Sequence, residues 1–222
     1  MTRVSALSML IAATGLAALA PGPSLAGYSE RFFADQSASE WENGRLRVRM
    51  VSVEPGARLD VRDAADRIVI YLTADLEGRM PKAEAIWQPV DAPALENRGG
   101  LRATALLVDV KAGPATGAGA TPPEALSFTD DVETERLIDN AHVAVTKVRY
   151  RTNAYVDIPW HSHSEDALIV YLRGGQAWPQ FDGLGAPIYA RRGVIDVIPA
   201  NTHHRMSYAP GDSLEFLVIA PK

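Results

Sequence analysis

The sequence repeats itself. Ile68-Val-Ile-Tyr-Leu72 matches Leu168-Ile-Val-Tyr-Leu172 at an offset of 100 residues. Upstream, Asn43, Val48, Val51, Leu59 and Asp60 match Asn140, Val145, Val148, Val156 and Asp157 at an offset of 97. Downstream, Pro89 matches Pro199, and Ala105-Leu-Leu-Val108 matches Phe216-Leu-Val-Ile219. Matches kept in one order, drifting only by small insertions, mark a duplication. Such a chain is expected to fold as two copies of one small unit.

Each copy consists of short runs rich in Val, Ile, Leu and Tyr, interrupted by Gly, Pro, Asn and Asp. This pattern predicts an all-β sandwich or barrel, and no useful helical periodicity appears after the first residues. The copies are assigned to residues 27–111 and 137–222, with a linker over 112–136. Ala112-Gly-Pro-Ala-Thr-Gly-Ala-Gly-Ala-Thr-Pro-Pro123 favours neither ladder nor helix. The acidic Glu124–Arg136 is expected to hold one helical turn. At about 85 residues a copy is marginal alone, so the two are expected to pack on each other.

The first 26 residues read as an address. Arg3 precedes an apolar run from Ala6 to Ala20, followed by Pro21-Gly-Pro-Ser-Leu-Ala26 with small residues where a signal peptidase cuts. The run is shorter than the roughly 20 residues of a membrane span. A cleaved signal peptide over 1–26 is expected, with a mature start at Gly27, periplasmic or secreted localisation and no stable membrane anchor. The net charge of −5 and the lack of any Lys/Arg-rich stretch argue against nucleic acid as a partner. With no cysteine, disulfides, thiolate nucleophiles and Cys-ligated metal are excluded.

All the histidines (142, 161, 163, 203 and 204) lie in the second copy. Residues two apart on a strand share a face, so His161 and His163 can converge. A third imidazole from a later strand would complete a facial nitrogen site suited to a first-row divalent ion. Trp160, Trp178, Tyr155 and Phe181 are candidates to line a cavity, although aromatic residues in a small barrel are first of all core.

Gly193-Val-Ile-Asp-Val-Ile-Pro199-Ala-Asn201-Thr-His-His204 resembles the second motif of the cupins, G-x5-P-x-G-x2-H-x3-N. Asn201 stands for the motif glycine, and Asn is the next best residue for a left-handed turn; Tyr208 stands for its asparagine. His161-Ser-His163 and Gly174 resemble parts of the first motif, G-x5-H-x-H-x(3,4)-E-x6-G, with the acidic ligand out of place: Glu165 and Asp166 come early. In the first copy Arg62, Ala64 and Ala94 occupy the ligand positions, and Tyr71 to Pro89 is ten residues shorter than Tyr171 to Pro199.

The resemblance implies two double-stranded β-helix (jelly-roll) barrels, a bicupin with a structural N-terminal half. It implies one divalent ion (Fe, Mn, Ni or Zn) on His161, His163 and His204, with Asp166 as an open fourth ligand. His203 alternates away from His204 and is expected to face outward. Occupancy should fall as pH drops through the ordinary histidine range, about 6.5. The expected partner is a small-molecule substrate or ligand, and homo-oligomerisation stays open. Two functions remain: a metal-dependent oxygenase or lyase acting on a small carboxylate or phenolic compound, with Glu165, Asp166, Tyr155 and Tyr171 as acid–base candidates, or a non-catalytic binding protein.

Overall fold

The computed structural model describes residues 30–32, 40–59, 65–73, 75–77, 85–111, 132–150, 156–181, 184–185, 187–208 and 214–222. The expected signal peptide, most of the linker, and Arg62, Ala64 and Tyr155 lie outside them.

All regular structure among the described residues is β, and the duplication is written in the strand order. In the N-terminal half β2 (Glu40–Glu42), β3 (Leu46–Val53), β5 (Asp66–Tyr71), β6 (Ala85–Gln88) and β8 (Ala103–Val110) form one sheet ordered β2-β3-β8-β5-β6. In the C-terminal half β9 (Val132–Asp139), β10 (Val143–Tyr150), β12 (Ala167–Arg173), β16 (Ile195–Ile198) and β18 (Glu215–Pro221) take the corresponding order β9-β10-β18-β12-β16. β1 (Glu30–Phe32) adds antiparallel to β16, so the start of the described chain joins the sheet of the C-terminal half.

The matched asparagines do the same work in both halves. Asn43 Oδ1 accepts the N–H groups of Arg45 and Leu46 at 2.8 and 2.7 Å. Asn140 Oδ1 accepts those of His142 and Val143 at 2.9 and 3.0 Å. Each closes the turn between its edge strand and the next, the local bond Asn makes readily.

The two sheets face one another. Leu46, Val48, Ile68, Ile70, Leu106 and Val108 of the N-terminal half share one buried core with Val143, Val145, Leu168, Val170, Leu217 and Ile219 of the other. Central strands alternate between this shared core and the inside of their own half. On β18, Leu217 and Ile219 point to the shared core while Phe216 and Val218 point inward. Apolar on both faces, such strands appear in sequence as unbroken runs. Gly193 sits at the seam with φ +81°, and a Cβ there would lie 3.0 Å from Leu72 Cδ1.

The halves differ in their second sheet. In the C-terminal half it comprises β11 (Val156–His161), β13 (Gly175–Phe181), β14 (Leu184–Gly185), β15 (Ile188–Ala190) and β17 (His204–Tyr208). Among the described residues the N-terminal counterpart is one short pair, β4 (Arg58–Leu59) with β7 (Leu95–Glu96). The ten residues missing between Tyr71 and Pro89 fall where β13 and its neighbours stand in the other half. The helical turn expected in Glu124–Arg136 is absent from its last five residues, which belong to β9. There Glu133 and Glu135 pair with Arg149 and Lys147 of β10, and the cross-strand charges fix a strand.

Candidate metal centre

β11 and β17 run antiparallel, and His161 and His204 are directly opposed in their register. His161 ends its strand and His204 begins the other. The pairing slips between Ile158 and His161, so the strand is irregular just before the first imidazole. His163 departs from the expectation: it lies past the end of β11, not on it. Its backbone is held instead by Asn201, whose N–H donates to His163 O at 2.6 Å. Asn201 has φ 59°, the left-handed turn expected of it.

The three imidazoles nonetheless meet. Ring centroids are 4.2 Å apart for His161 and His204, 5.1 Å for His161 and His163, and 5.2 Å for His163 and His204. One nitrogen from each lies within 4.8 Å of the others. His161 Nδ1 is 2.8 Å from Pro159 O, and His204 Nδ1 is 2.9 Å from Thr202 O. A carbonyl can only accept, so these Nδ1 atoms carry the proton and the Nε2 lone pairs are left for a ligand. Buried His163 Nδ1 has no hydrogen-bond partner among the described residues.

Burial keeps all three rings neutral. It pushes His163 down to about 3 and His204 down to about 4, with nearby imidazoles adding to the effect. His161 is also lowered, chiefly by burial. Neutral nitrogen donors, converging and desolvated, are the donor set a divalent ion requires.

Behind the histidines a cavity of about 40 Å³ enters the C-terminal barrel. Its wall is apolar: Val148, Ile158, Ile169, Ile198, Phe216 and Val218 line it. Met206 and Tyr208 complete it from β17, two and four residues beyond His204 and so on the same face. Burial raises the Tyr208 hydroxyl far above its ordinary value. Tyr171, an acid–base candidate in the sequence, donates to buried Asp196 Oδ2 at 2.9 Å and is not part of the lining.

Among the described residues the cavity aromatics are Tyr208 and Phe216, not Trp160, Trp178 or Phe181. Trp160 is 36% exposed and stacks on exposed His203 at 4.9 Å, on the outer face. Phe181 is buried with its ring 6.1 Å from His204, and Trp178 is half-buried outside the lining. The two-residue alternation His204, Met206, Tyr208 was the signal that could have found the wall.

Asp166 is not part of the group formed by His161, His163 and His204. Its Oδ1 accepts the Ala200 N–H at 2.9 Å, and its Oδ2 accepts Asn43 Nδ2 at 2.6 Å from the other half. Both oxygens are engaged in holding backbone and side chain. Glu165 is half-buried and outside both cluster and lining. His203 and His142 are exposed; Ala94, at the matching position of the N-terminal half, is half-buried in a loop.

No family model matches the sequence. No curated protein matches it either. Solved structures do. A cupin 2 conserved barrel domain protein from Leptotrichia buccalis superposes with TM-score 0.51 at 15% identity, over 87% of this chain and 88% of that one. A putative glyoxylate-induced protein from Pseudomonas aeruginosa superposes with TM-score 0.58 at 13% identity, over 81% of this chain and 75% of that one. With two corresponding sheets, a second sheet in the C-terminal half and three histidines close together, the chain has the cupin fold, in a form compatible with metal binding.

Proposed function

We propose that this protein binds one first-row divalent ion through His161, His163 and His204, and that a small molecule reaches that ion across the apolar cavity. The carrying observation is the convergence of three neutral imidazoles, two with Nδ1 tied to backbone carbonyls. A bound ion would supply Lewis acidity and open coordination positions. The protein's own residues do the rest: His161 and His204 hold their ring orientation through Pro159 and Thr202, and the wall of Val, Ile, Met and Phe excludes water. Among the described residues, no lining side chain carries charge at neutral pH. A compact molecule with one metal-coordinating oxygen group and a short apolar body fits this wall, as a monocarboxylate or small phenol would. A dicarboxylate would bury an unpaired charge.

The lining also discriminates between reaction types. A lyase needs a side chain that moves a proton near neutral pH, and among the described lining residues Tyr208, raised by burial, is no such base. An oxygenase asks less of the wall, so of the two enzymatic readings it is the one supported. A lining with no such base among its described residues also supports a second reading, a binding protein without turnover. We further propose that the protein is exported and begins at Gly27, which intact mass of the recovered protein checks.

Metal content with oxygen uptake on a panel of small monocarboxylates and phenols tests the proposal. One metal per chain and metal-dependent oxygen consumption are expected. A compound that raises Tm and is never consumed would favour the binding protein, since binding to the native state alone stabilises by mass action. A wild-type chain holding no metal after reloading refutes the site.

A further inference from the structure

Asp166 joins three parts of the molecule. It lies between His163 and β12, its Oδ1 takes the Ala200 N–H at 2.9 Å, and its Oδ2 takes Asn43 Nδ2 at 2.6 Å. Ala200 belongs to the turn that delivers His204: Thr202 N–H donates to Pro199 O at 3.2 Å, and Thr202 O holds His204 Nδ1. The next residue, Asn201, donates its N–H to His163 O at 2.6 Å. The loop bearing His163 and the loop bearing His204 are thus clamped together, and the clamp is fastened from the N-terminal half.

Asn43 is built to fasten it. Its Oδ1 is occupied by the N–H groups of Arg45 and Leu46, so the amide nitrogen must be the atom that faces Asp166. The turn around it is held in place, because the Arg45 guanidinium donates to Lys222 O at the end of the C-terminal half and the Lys111 ammonium donates to Asn43 O. The amide–carboxylate bond is charge-assisted and part-buried.

We infer that Asn43 is a positioning residue: through Asp166 and Ala200 the N-terminal half sets the geometry of the histidine cluster in the other half. This rests on the three-histidine metal reading and gives Asp166 a role other than ligation.

Asn43→Asp is the selective test. Aspartate keeps the side-chain oxygen that closes the turn but sets an acceptor against Asp166 where a donor stood. Asn140→Asp makes the same change in the matching turn of the C-terminal half and is the control. In the double variant Asn43→Asp/Asp166→Asn, the donor lies on the opposite side and the bond can re-form. Two measurements at pH 7.5 are compared: hydrogen exchange at the Ala200 amide in metal-free protein, and Co(II) affinity with its visible spectrum.

Asn43→Asp should speed Ala200 exchange, weaken Co(II) binding about 10- to 100-fold, the range for groups that orient ligands, and alter the spectrum. Asn140→Asp should match wild type, and the double variant should recover most of the loss. Unchanged Ala200 exchange in Asn43→Asp overturns the inference whatever the metal does. So does unchanged cobalt affinity and spectrum, or equal loss in the control. A wild type that binds no cobalt refutes the metal reading and with it the role of the clamp, while Ala200 exchange still reports whether the clamp exists.

Discussion

His203 and His204 are neighbours in sequence and opposites in environment: His203 lies just before β17, and His204 opens it. His204 is 3% exposed within the cluster, and His203 stacks on Trp160 outside. His204→Ala should abolish most metal uptake and leave the fold intact; His203→Ala should leave uptake nearly unchanged. Elemental analysis of both decides it, and equal losses would refute the ligand assignment. Burial also revises the pH expectation. With His163 at about 3 and His204 at about 4, protons compete for the site well below the ordinary histidine range, so metal should be retained below pH 6.5. In metal-free protein the same shifts act on stability. Below about 6.5 the unfolded chain takes up protons that the folded rings refuse, so stability falls as pH drops from about 6.5 toward about 4. At pH 5 the deficit is on the order of 2 kcal/mol for one such histidine. Tm of the metal-free protein should be lower at pH 5 than at pH 7.5, and His204→Phe should remove its share of that dependence while His163 keeps the rest; a pH-independent Tm would contradict it.

At the scale of elements, the repeat predicted the sheets well. Matching Ile68–Leu72 to Leu168–Leu172 and Pro89 to Pro199 identifies β5 with β12 and the end of β6 with the end of β16, and the ten-residue deletion falls where β13 and its neighbours stand in the C-terminal half. What the sequence could not carry were contacts between distant segments. His163 is placed by Asn201 N–H, not by a strand, and Asp166 is claimed by Asn43, 123 residues away. A ligand motif read along the chain does not reveal an acidic residue spoken for by another half. Two positions test the joins between elements. Gly193→Ala places a Cβ at φ +81° and 3.0 Å from Leu72 Cδ1. It should cost about 1–2 kcal/mol from the left-handed backbone alone, visible as a lower Tm. On β8, Asp109 is buried, with Arg49 Nη2 at 2.7 Å and Arg67 Nε at 3.7 Å. Asp109→Asn removes the carboxylate charge facing the nearly buried Arg67 and should destabilise by roughly 3–5 kcal/mol; a change under 1 kcal/mol in denaturant unfolding would show that the triad contributes little.

The whole molecule explains why a half with no donor at the matching Ala94 position is kept. Eight described N-terminal residues lie in the core shared between halves, against five in the core inside that half alone. Much of the buried apolar surface described in the N-terminal half thus faces its partner, and removing that half would expose the outer face of the sheet that carries β12 and β18. Polar contacts cross the same seam: Asn43 to Asp166, Arg45 to Lys222 O, and Arg192 to Tyr71 O at 3.4 Å. Halves coupled this tightly should unfold as one. Trp41 and Trp87 report on the N-terminal half, where they pack against the shared core, while Trp160 and Trp178 report on the C-terminal half. Variants keeping one pair or the other should give the same urea midpoint by fluorescence. Leu106→Ala, in the middle of the shared core and fully buried, should cost about 2–5 kcal/mol and move both midpoints together. Two separated transitions, or a shift confined to the N-terminal tryptophans, would mean the halves are independent barrels joined only by a linker, and a strap from Asn43 would then have no rigid frame to pull against.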